Sequence, residues 1–221
     1  MAWGATYPLG FGSLAVCGTF RGHFEQLQEI WMSTPPDERP FQSVNGHQMD
    51  VNNRLHGNGE TLQQAEIPKV YLVERKPPFF ADIMKTENRI IVVSKRMRAL
   101  IEELEPSVHF FFPIDFEFKN GNIIEGEFFI FSPQNYLNSL KYEECDIDKE
   151  SSRPPKRYAF NDEFSKRSAK KMVLDEPKIQ GLHVWRDKAV YSPDLFISDE
   201  LQDEIVERDF KFFKRHRIGG E

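Results

Sequence analysis

The sequence predicts an α+β protein with a mixed, mainly antiparallel sheet, two similar strand–helix–strand units and short flanking helices. The first observation is an internal repeat, because an apolar run, a serine, a helical pattern and an aromatic run follow one another at about 89–118 and again at about 194–218. Ser94 and Ser198 fall at matching places in the two copies. The second observation is the Asn120-Gly121 step between two aromatic runs, since Asn-Gly is the strongest short-range signal of a β-hairpin.

Composition agrees with a folded protein that has its own core. The chain has 221 residues, of which 39% are hydrophobic, and this suits one domain or two small ones. No apolar run approaches the roughly 20 residues that a membrane-spanning helix needs. No Lys or Arg precedes the first apolar stretch, so a secretory signal is not predicted. Cys17 and Cys145 belong to no Cys/His cluster, which favours a reducing, cytoplasmic location.

The sequence predicts two regions, a variable region at 1–70 and an α+β domain at 71–221. The first region has the less regular pattern. In HFEQLQEIWM, Phe24 and Leu27 share one face of a helix with the following Ile and Trp, and TPPDERP ends that helix. Residues 43–60 are rich in Asn and Gly and predict a surface loop or a poorly ordered excursion. The next segment, KVYLVERK, alternates as a strand does.

Each repeat is predicted element by element. In the first, Ile90–Val93 has the length of a strand, Ser94 is a good N-cap, and apolar residues recur at helical spacing until Pro106. The segments HFFFPIDFEF and IIEGEFFIF then form the predicted hairpin. In the second repeat, Ser198 is the N-cap. The phenylalanines at 210–213 predict a last strand with basic residues along its exposed edge, where lysine and arginine disfavour pairing with another strand.

No catalytic residue, metal ligand or cofactor is predicted. The segment Gly10–Gly12 resembles part of a dinucleotide loop, but no strand precedes it and no helix clearly follows. A calcium-loop pattern starts at Asp146, yet it lacks the required glycine at its sixth position and the glutamate at its twelfth. The six histidines do not fall at metal-ligand spacing. A metal at His47, His56 and Asp50 stays open as a weaker alternative.

Five segments from the middle to the end of the chain form a recognisable set. They read IIVVSKRMRALIEEL, HFFFPIDF, YEECDIDKESS, GLHVWRDKAV and DLFISDELQDEIV. In this order they resemble the motifs of a bacterial immunity-protein family of polymorphic toxin systems, immunity protein family eleven. The resemblance covers about residues 70–221. Its motif residues Ser94, Trp185, Arg186 and Ser198 are interpreted as structural.

The resemblance implies a cytoplasmic antitoxin of an interbacterial competition system, with type VI secretion as one route of toxin delivery. Such a protein binds its cognate toxin and neutralises it by stoichiometric contact, without being an enzyme. A basic nuclease or another secreted effector would be the partner, with no direct nucleic-acid or membrane partner, and a homodimer is compatible with this function. Two alternatives stay open: a chaperone or adaptor that escorts a secreted toxin, and an uncharacterised hydrolase.

The charge pattern indicates where a toxin would bind. The formal net charge is −6, and residues 153–171 contain seven Lys or Arg against two acidic residues, so the rest of the chain is more acidic still. An acidic surface speeds association with a basic partner. Binding surfaces are expected to differ between immunity proteins that face different toxins, which favours 1–70 and 143–171. The predicted toxin-binding residues are Glu143, Glu144, Asp146, Asp148 and Glu150.

Overall fold

The computed structural model shows an α+β protein with mixed sheets, so the predicted α+β class is confirmed, while the mainly antiparallel character of the sheet stays a prediction. It describes residues 1–6, 15–39, 41–57, 60–77, 79–86, 89–150, 157–159, 165–190 and 193–219. The chain forms two compact units. The terminal unit comprises Met1–Gly10, Ala99–His109 and Pro133–Glu221, and the central unit comprises Phe11–Arg98 and Phe110–Ser132. The predicted division at residue 70 stays a prediction.

The described residues contain thirteen strands and six α-helices. The strands are β1 (Ala2–Thr6), β2 (Ala15–Phe20), β3 (Val70–Arg75), β4 (Ile83–Thr86), β5 (Ile91–Ser94), β6 (Phe110–Phe118), β7 (Ile123–Ser132), β8 (Tyr136–Leu137), β9 (Lys149–Glu150), β10 (Tyr158–Ala159), β11 (Val184–Asp187), β12 (Leu195–Ser198) and β13 (Lys214–Arg217). The helices are α1 (His23–Ser33), α2 (Val44–Leu55), α3 (Lys95–Leu104), α4 (Lys166–Lys170), α5 (Glu176–Ile179) and α6 (Asp199–Glu207).

The central unit is built on a closed sheet of six strands in the order β2-β3-β6-β7-β5-β4. Strands β6 and β7 form the antiparallel hairpin that the Asn-Gly step predicts. The amide of Phe118 donates to the carbonyl of Asn122 across the turn, and Gly121 adopts a left-handed φ of 82°. The sheet is mixed because β3 lies parallel to β6 and β2 lies parallel to β4.

Aromatic side chains fill the interior of the central unit. Phe116 is fully buried, and its ring stacks on that of Phe128 with a centroid distance of 4.7 Å. The buried Tyr71 donates its hydroxyl to the carbonyl oxygens of Val16 at 2.7 Å and Gly18 at 2.8 Å. A buried tyrosine hydroxyl needs such partners, because an unsatisfied polar group in the core is costly. These phenylalanines therefore belong to strand interiors, as predicted.

Gly18 lies where β2 makes a bulge against β3. A Cβ atom at this position would overlap the backbone carbonyl oxygen of Leu72. We expect Gly18→Ala to lower the free energy of unfolding by about 1–3 kcal/mol, because the two strands would have to separate locally. Urea unfolding would measure the change. Thr19→Ala, on the exposed side of the same strand, is the control and should change stability by less than about 0.5 kcal/mol.

Two helices pack on the central unit, one as predicted and one not. Helix α1 forms where it is predicted and buries Leu27, but Phe24, predicted on the same face, is exposed. The prediction of a surface loop at 43–60 is wrong, because α2 occupies most of that segment. It buries His47, Val51 and Leu55, which follow one another at four-residue spacing on one face. Tertiary packing of this face overrides the weak helix propensity of an Asn-rich sequence.

The terminal unit contains a five-stranded sheet in the order β13-β1-β12-β11-β8. Trp185 of β11 and Phe196 of β12 are buried and stack at 5.7 Å. The prediction of a strand through 210–213 is wrong, because the last strand begins only at Lys214. Phe210 and Phe213 are nevertheless buried. Their burial needs no ladder hydrogen bonds, so an aromatic run alone does not locate a strand.

The two predicted repeats contain the same order of elements. One is β5-α3-β6 and the other is β12-α6-β13. In each, a strand from elsewhere in the chain separates the two strands and runs antiparallel to both: β7 in the first and β1 in the second. That these segments are copies of one unit stays a prediction.

Candidate functional site

The acidic segment that the sequence predicts as a binding site lies in the terminal unit. Glu143 and Glu144 belong to a single turn of 3-10 helix and are exposed. Asp146 and Asp148 follow and are exposed as well. Glu150 is the second residue of β9, and its side chain lies outside the described part of the structure. The segment therefore presents several carboxylates to solvent.

Two lysines neutralise part of this segment. The Nζ atom of Lys171 lies 2.6 Å from a carboxylate oxygen of Asp148 and 3.2 Å from one of Asp146. The hydrogen bond to Asp148 contributes most to raising the pKa of Lys171. Lys141 pairs with Glu144 at 3.3 Å. These ion pairs reduce the charge that the segment offers to a partner.

A buried aspartate anchors the start of the acidic segment. Asp187 accepts hydrogen bonds from the amide of Ser139 at 2.6 Å, the hydroxyl of Ser139 at 2.8 Å and the hydroxyl of Tyr142 at 2.8 Å. The amide of Ala189 donates at 2.8 Å to Oδ1, the same oxygen that accepts from Tyr142, while Ser139 donates to Oδ2. Burial and the neighbouring Asp187 raise the pKa of Tyr142. The segment thus begins on a rigid, fully hydrogen-bonded base.

Cys145, inside the same segment, has a structural environment. Its sulfur accepts a hydrogen bond from the amide of Val173 at 3.3 Å and donates to the carbonyl of Lys141 at 3.3 Å. Burial raises the pKa of the Cys145 thiol. Since the thiolate is the reactive form, this thiol is a poor nucleophile at neutral pH.

The W-R step lies in β11, and its two side chains alternate between the faces of the sheet. Trp185 is in the core, and its indole Nε1 has no hydrogen-bond partner among the described residues. The guanidinium of Arg186 lies 6.0 Å from the ring centroid of Tyr136. Burial lowers the pKa of Arg186, and the charge of Asp194 opposes that effect.

The two matching serines stand at helix N-termini. Ser198 is the N-cap of α6, and its hydroxyl accepts from the amide of Leu201 at 3.1 Å. Ser94 accepts from the amide of Met97 at 3.2 Å and donates to a carboxylate oxygen of Asp82 at 2.8 Å. Both hydroxyls satisfy a backbone amide that the helix itself leaves unpaired.

A buried Glu–His pair lies at the end of α3 and was not found from the sequence. Glu105 is 5% exposed, and His109 donates from Nε2 to its carboxylate at 2.7 Å. The amide of Gln134 donates to Nδ1 of His109 at 3.0 Å, so Nδ1 carries no proton and Nε2 does. The i,i+4 spacing was visible in the sequence, but burial was not.

The same carboxylate ties α3 to strand β11. It also accepts from the side-chain amide of Asn135 at 2.9 Å and from the backbone amides of His183 at 2.9 Å and Val184 at 3.1 Å. Burial alone would raise the pKa of Glu105, but the hydrogen bonds from His109 and from these amides hold it below its usual value. Both oxygens are engaged, so the group has a structural arrangement.

A second buried carboxylate organises the central unit. Glu66 accepts two hydrogen bonds from the guanidinium of Arg54, at 2.7 and 2.8 Å, and one from the amide of Gln63 at 2.9 Å. Burial would raise its pKa, but Arg54 and Gln63 lower it overall. The imidazole of His23, in α1, bonds to the carbonyl of Glu66 at 2.8 Å. His47 lies 3.7 Å from the same carboxylate.

Metal sites find no support among the described residues. There, no group of three His, Cys, Asp or Glu side chains is arranged to hold a metal ion. The weaker alternative at His47, His56 and Asp50 is thus not formed, and Asp50 instead pairs with Arg54 at 2.7 Å. The dinucleotide-like segment Gly10–Gly12 lies outside the described residues.

Comparison with known families gives one match. A family model described as Immunity protein family (Imm11) matches residues 17–217. This match begins earlier than residue 70, where the resemblance in the sequence begins. No curated protein matches the chain. Within the described ranges, no helix is both long enough and apolar enough to cross a membrane.

Proposed function

Because the chain belongs to the Imm11 immunity protein family, we propose that it binds one cognate toxin and neutralises it by stoichiometric contact, without catalysis. The family match carries this proposal. An antitoxin of this kind works in the cytoplasm of the producing cell, and its toxin is delivered to competitors. The acidic net charge of −6 fits a basic toxin such as a nuclease, because opposite charges speed association.

The acidic residues predicted from the sequence are proposed as one contact. Glu143, Glu144, Asp146 and Asp148 are exposed, and a buried Asp187 fixes the base of their segment. Glu150 completes the proposed set. Of the four described side chains, only Glu143 has no ion pair within the described residues, so it is the acid most available to a partner.

Coexpression with the toxin encoded beside its gene tests the proposal. We expect growth to be rescued, and we expect the purified proteins to elute together in gel filtration. Toxin activity should fall to zero as the molar ratio reaches equivalence. A toxin that stays active in the complex would indicate an escorting chaperone instead. Protection at substoichiometric amounts would indicate an enzyme that modifies the toxin or its substrate. If coexpression gave no rescue of growth and no complex, the immunity function would be contradicted.

A further inference from the structure

Helix α1 presents an unusual outward face in the central unit. Phe24 is 38% exposed and Met32 is 61% exposed, and both are large apolar side chains. Glu25 and Glu29 are exposed on the same helix, while Leu27 is buried on the opposite side. Aromatic residues and methionine are enriched at the centres of protein interfaces. A face that mixes them with carboxylates has the composition of a binding surface.

Carboxylates outnumber cations on α1 and in the turn that follows it. Between Gly22 and Gln42 the chain has four carboxylates and one cation, Arg39. In the part of the chain that the structure describes, none of these four carboxylates forms an ion pair. Glu25 and Glu29 are also spaced i,i+4, and like charges at this spacing destabilise a helix. The four carboxylates are Glu25, Glu29, Asp37 and Glu38.

A pocket adjoins the last turn of α1. Its volume is about 330 Å³, and its walls are Trp31, Pro36, Arg39, Phe41 and Gln42. The indole of Trp31 donates to the carbonyl of Phe41 at 3.1 Å, which fixes one wall. Arg39 stacks over the Trp31 ring at 4.1 Å from the centroid. An aromatic-walled pocket of this kind is suited to anchoring one apolar side chain of a partner.

The single cation of the segment is already engaged by the helix. Arg39 donates from Nε to the carbonyl of Thr34 at 2.9 Å and from its terminal nitrogen to the carbonyl of Met32 at 3.2 Å. These carbonyls lie at the C-terminus of α1, where cations are favoured by the helix dipole. Arg39 therefore forms one wall of the pocket and caps α1. Within the described residues it forms no ion pair with the four carboxylates, which are available to a partner.

The buried side of α1 holds this face in a fixed orientation. His23 bonds to the carbonyl of Glu66, and Leu27 is fully buried in the core. A preformed surface loses little conformational entropy on binding. The acidic segment at 143–150 differs in two respects, since lysines pair with three of its carboxylates and its described residues include no large exposed apolar side chain.

We infer that the exposed face of α1 and the adjoining Trp31–Phe41 pocket form a docking surface for a Lys- and Arg-rich face of the toxin, with one apolar toxin side chain seated in the pocket. This inference rests on the proposed function and specifies the partner's chemistry. Carboxylates around an apolar centre set the association rate, and the exposed apolar side chains of α1 together with the pocket set the dissociation rate.

Charge reversal separates this surface from the acidic segment. We expect Glu25→Lys/Glu29→Lys to lower the association rate with the toxin from the neighbouring gene by roughly tenfold at low salt and to weaken its salt dependence. Glu125→Lys/Glu127→Lys, an exposed pair on β7 with the same change in charge, is the matched control and should keep most of the wild-type rate. Glu143→Lys/Glu144→Lys tests the acidic segment in parallel.

Truncation in the apolar part tests the second half of the inference. Met32→Ala removes an exposed side chain without touching the core, and we expect it to raise the dissociation rate by roughly tenfold. Surface-immobilised toxin in a kinetic binding assay measures both rates. Hydrogen exchange in the complex should protect 23–42.

Three results would overturn the inference. If the α1 variants bind as wild type does while the Glu143 and Glu144 reversal weakens binding, the toxin docks elsewhere and the immunity function still stands. If the α1 variants change only self-association in light scattering, the face joins two copies of this chain. If wild-type protein does not bind the toxin at all, the proposed function fails together with the inference.

Discussion

Glu105→Ala should lower the free energy of unfolding by about 3–5 kcal/mol, one of the largest effects of any single substitution in the terminal unit. The variant leaves the imidazole N–H of His109 and the amides of His183 and Val184 without their buried acceptor. Urea unfolding gives the size of the loss. Hydrogen exchange should show faster exchange at the first residues of β11, because those amides lose their partner.

Two comparisons make the Glu105 prediction specific. Glu103→Ala removes an exposed carboxylate that pairs with Arg208, and no measurable change in stability is expected. An equal loss in both variants would show that the buried network is not the cause. Glu105→Gln keeps the shape of the side chain and removes its charge, so an intermediate loss is expected.

Acid should weaken the same network. The pKa of Glu105 is lower in the folded state than in the unfolded chain. Its contribution to stability is therefore complete above the ordinary carboxyl pKa of about 4.3 and is lost as the pH falls from there through the lowered folded value. The free energy of unfolding of Glu105→Gln should decline less steeply in that acid range than that of wild type.

Arg54→Ala should cost a similar amount, about 3–5 kcal/mol, because it leaves the buried carboxylate of Glu66 without its bidentate partner. Arg54→Lys keeps the positive charge but loses the two-pronged geometry, so it should recover only part of the loss. Urea unfolding measures both. A loss for Arg54→Ala no larger than that for an exposed residue would contradict the buried-pair account.

Removing both charges of the Arg54–Glu66 pair should lower the free energy of unfolding less than removing one of them. The double variant Arg54→Met/Glu66→Met removes both charges of the buried pair, and pairs replaced in this way are often near neutral, although the half-buried Asp50 also loses its partner. We expect it to be more stable than Arg54→Ala, although the amide of Gln63 loses its acceptor. If the double variant were as unstable as the single one, packing and not charge would explain the effect.

Local patterns predicted much of the fold. The helical spacing of Phe24 and Leu27, the serine before α3 and the Asn-Gly turn depend on neighbours within a few residues, and the structure has the corresponding elements. Predictions failed where packing from distant segments decides. Helix α2 forms in an Asn-rich segment because Val51 and Leu55 are buried, and the aromatic run at 210–213 is buried without being a strand.

For the candidate site, too, local sequence predicted the residues but not their long-range contacts. The sequence located the acidic segment at 143–150, but it did not show that Lys171, more than twenty residues away, pairs with Asp146 and Asp148. Nor did it show that Arg39 is bound to the end of α1, or that Glu25 and Glu29 form no ion pair with any residue the structure describes. Long-range ion pairs depend on how the chain folds back, and a linear pattern does not contain that information.

The sequence by itself determined the α+β class, the main local elements and the resemblance to an immunity family, because periodicity, caps and short motifs are properties of neighbouring residues. Only the tertiary structure decided which carboxylates are buried as anchors, which are paired at the surface and which remain uncompensated. Glu105 and Glu66 are buried, and Glu25 is exposed, although in the sequence all three are glutamates in predominantly polar surroundings. Burial and ion pairing depend on which distant segments come into contact. These contacts decide the pKa of a carboxylate and the partners of its charge.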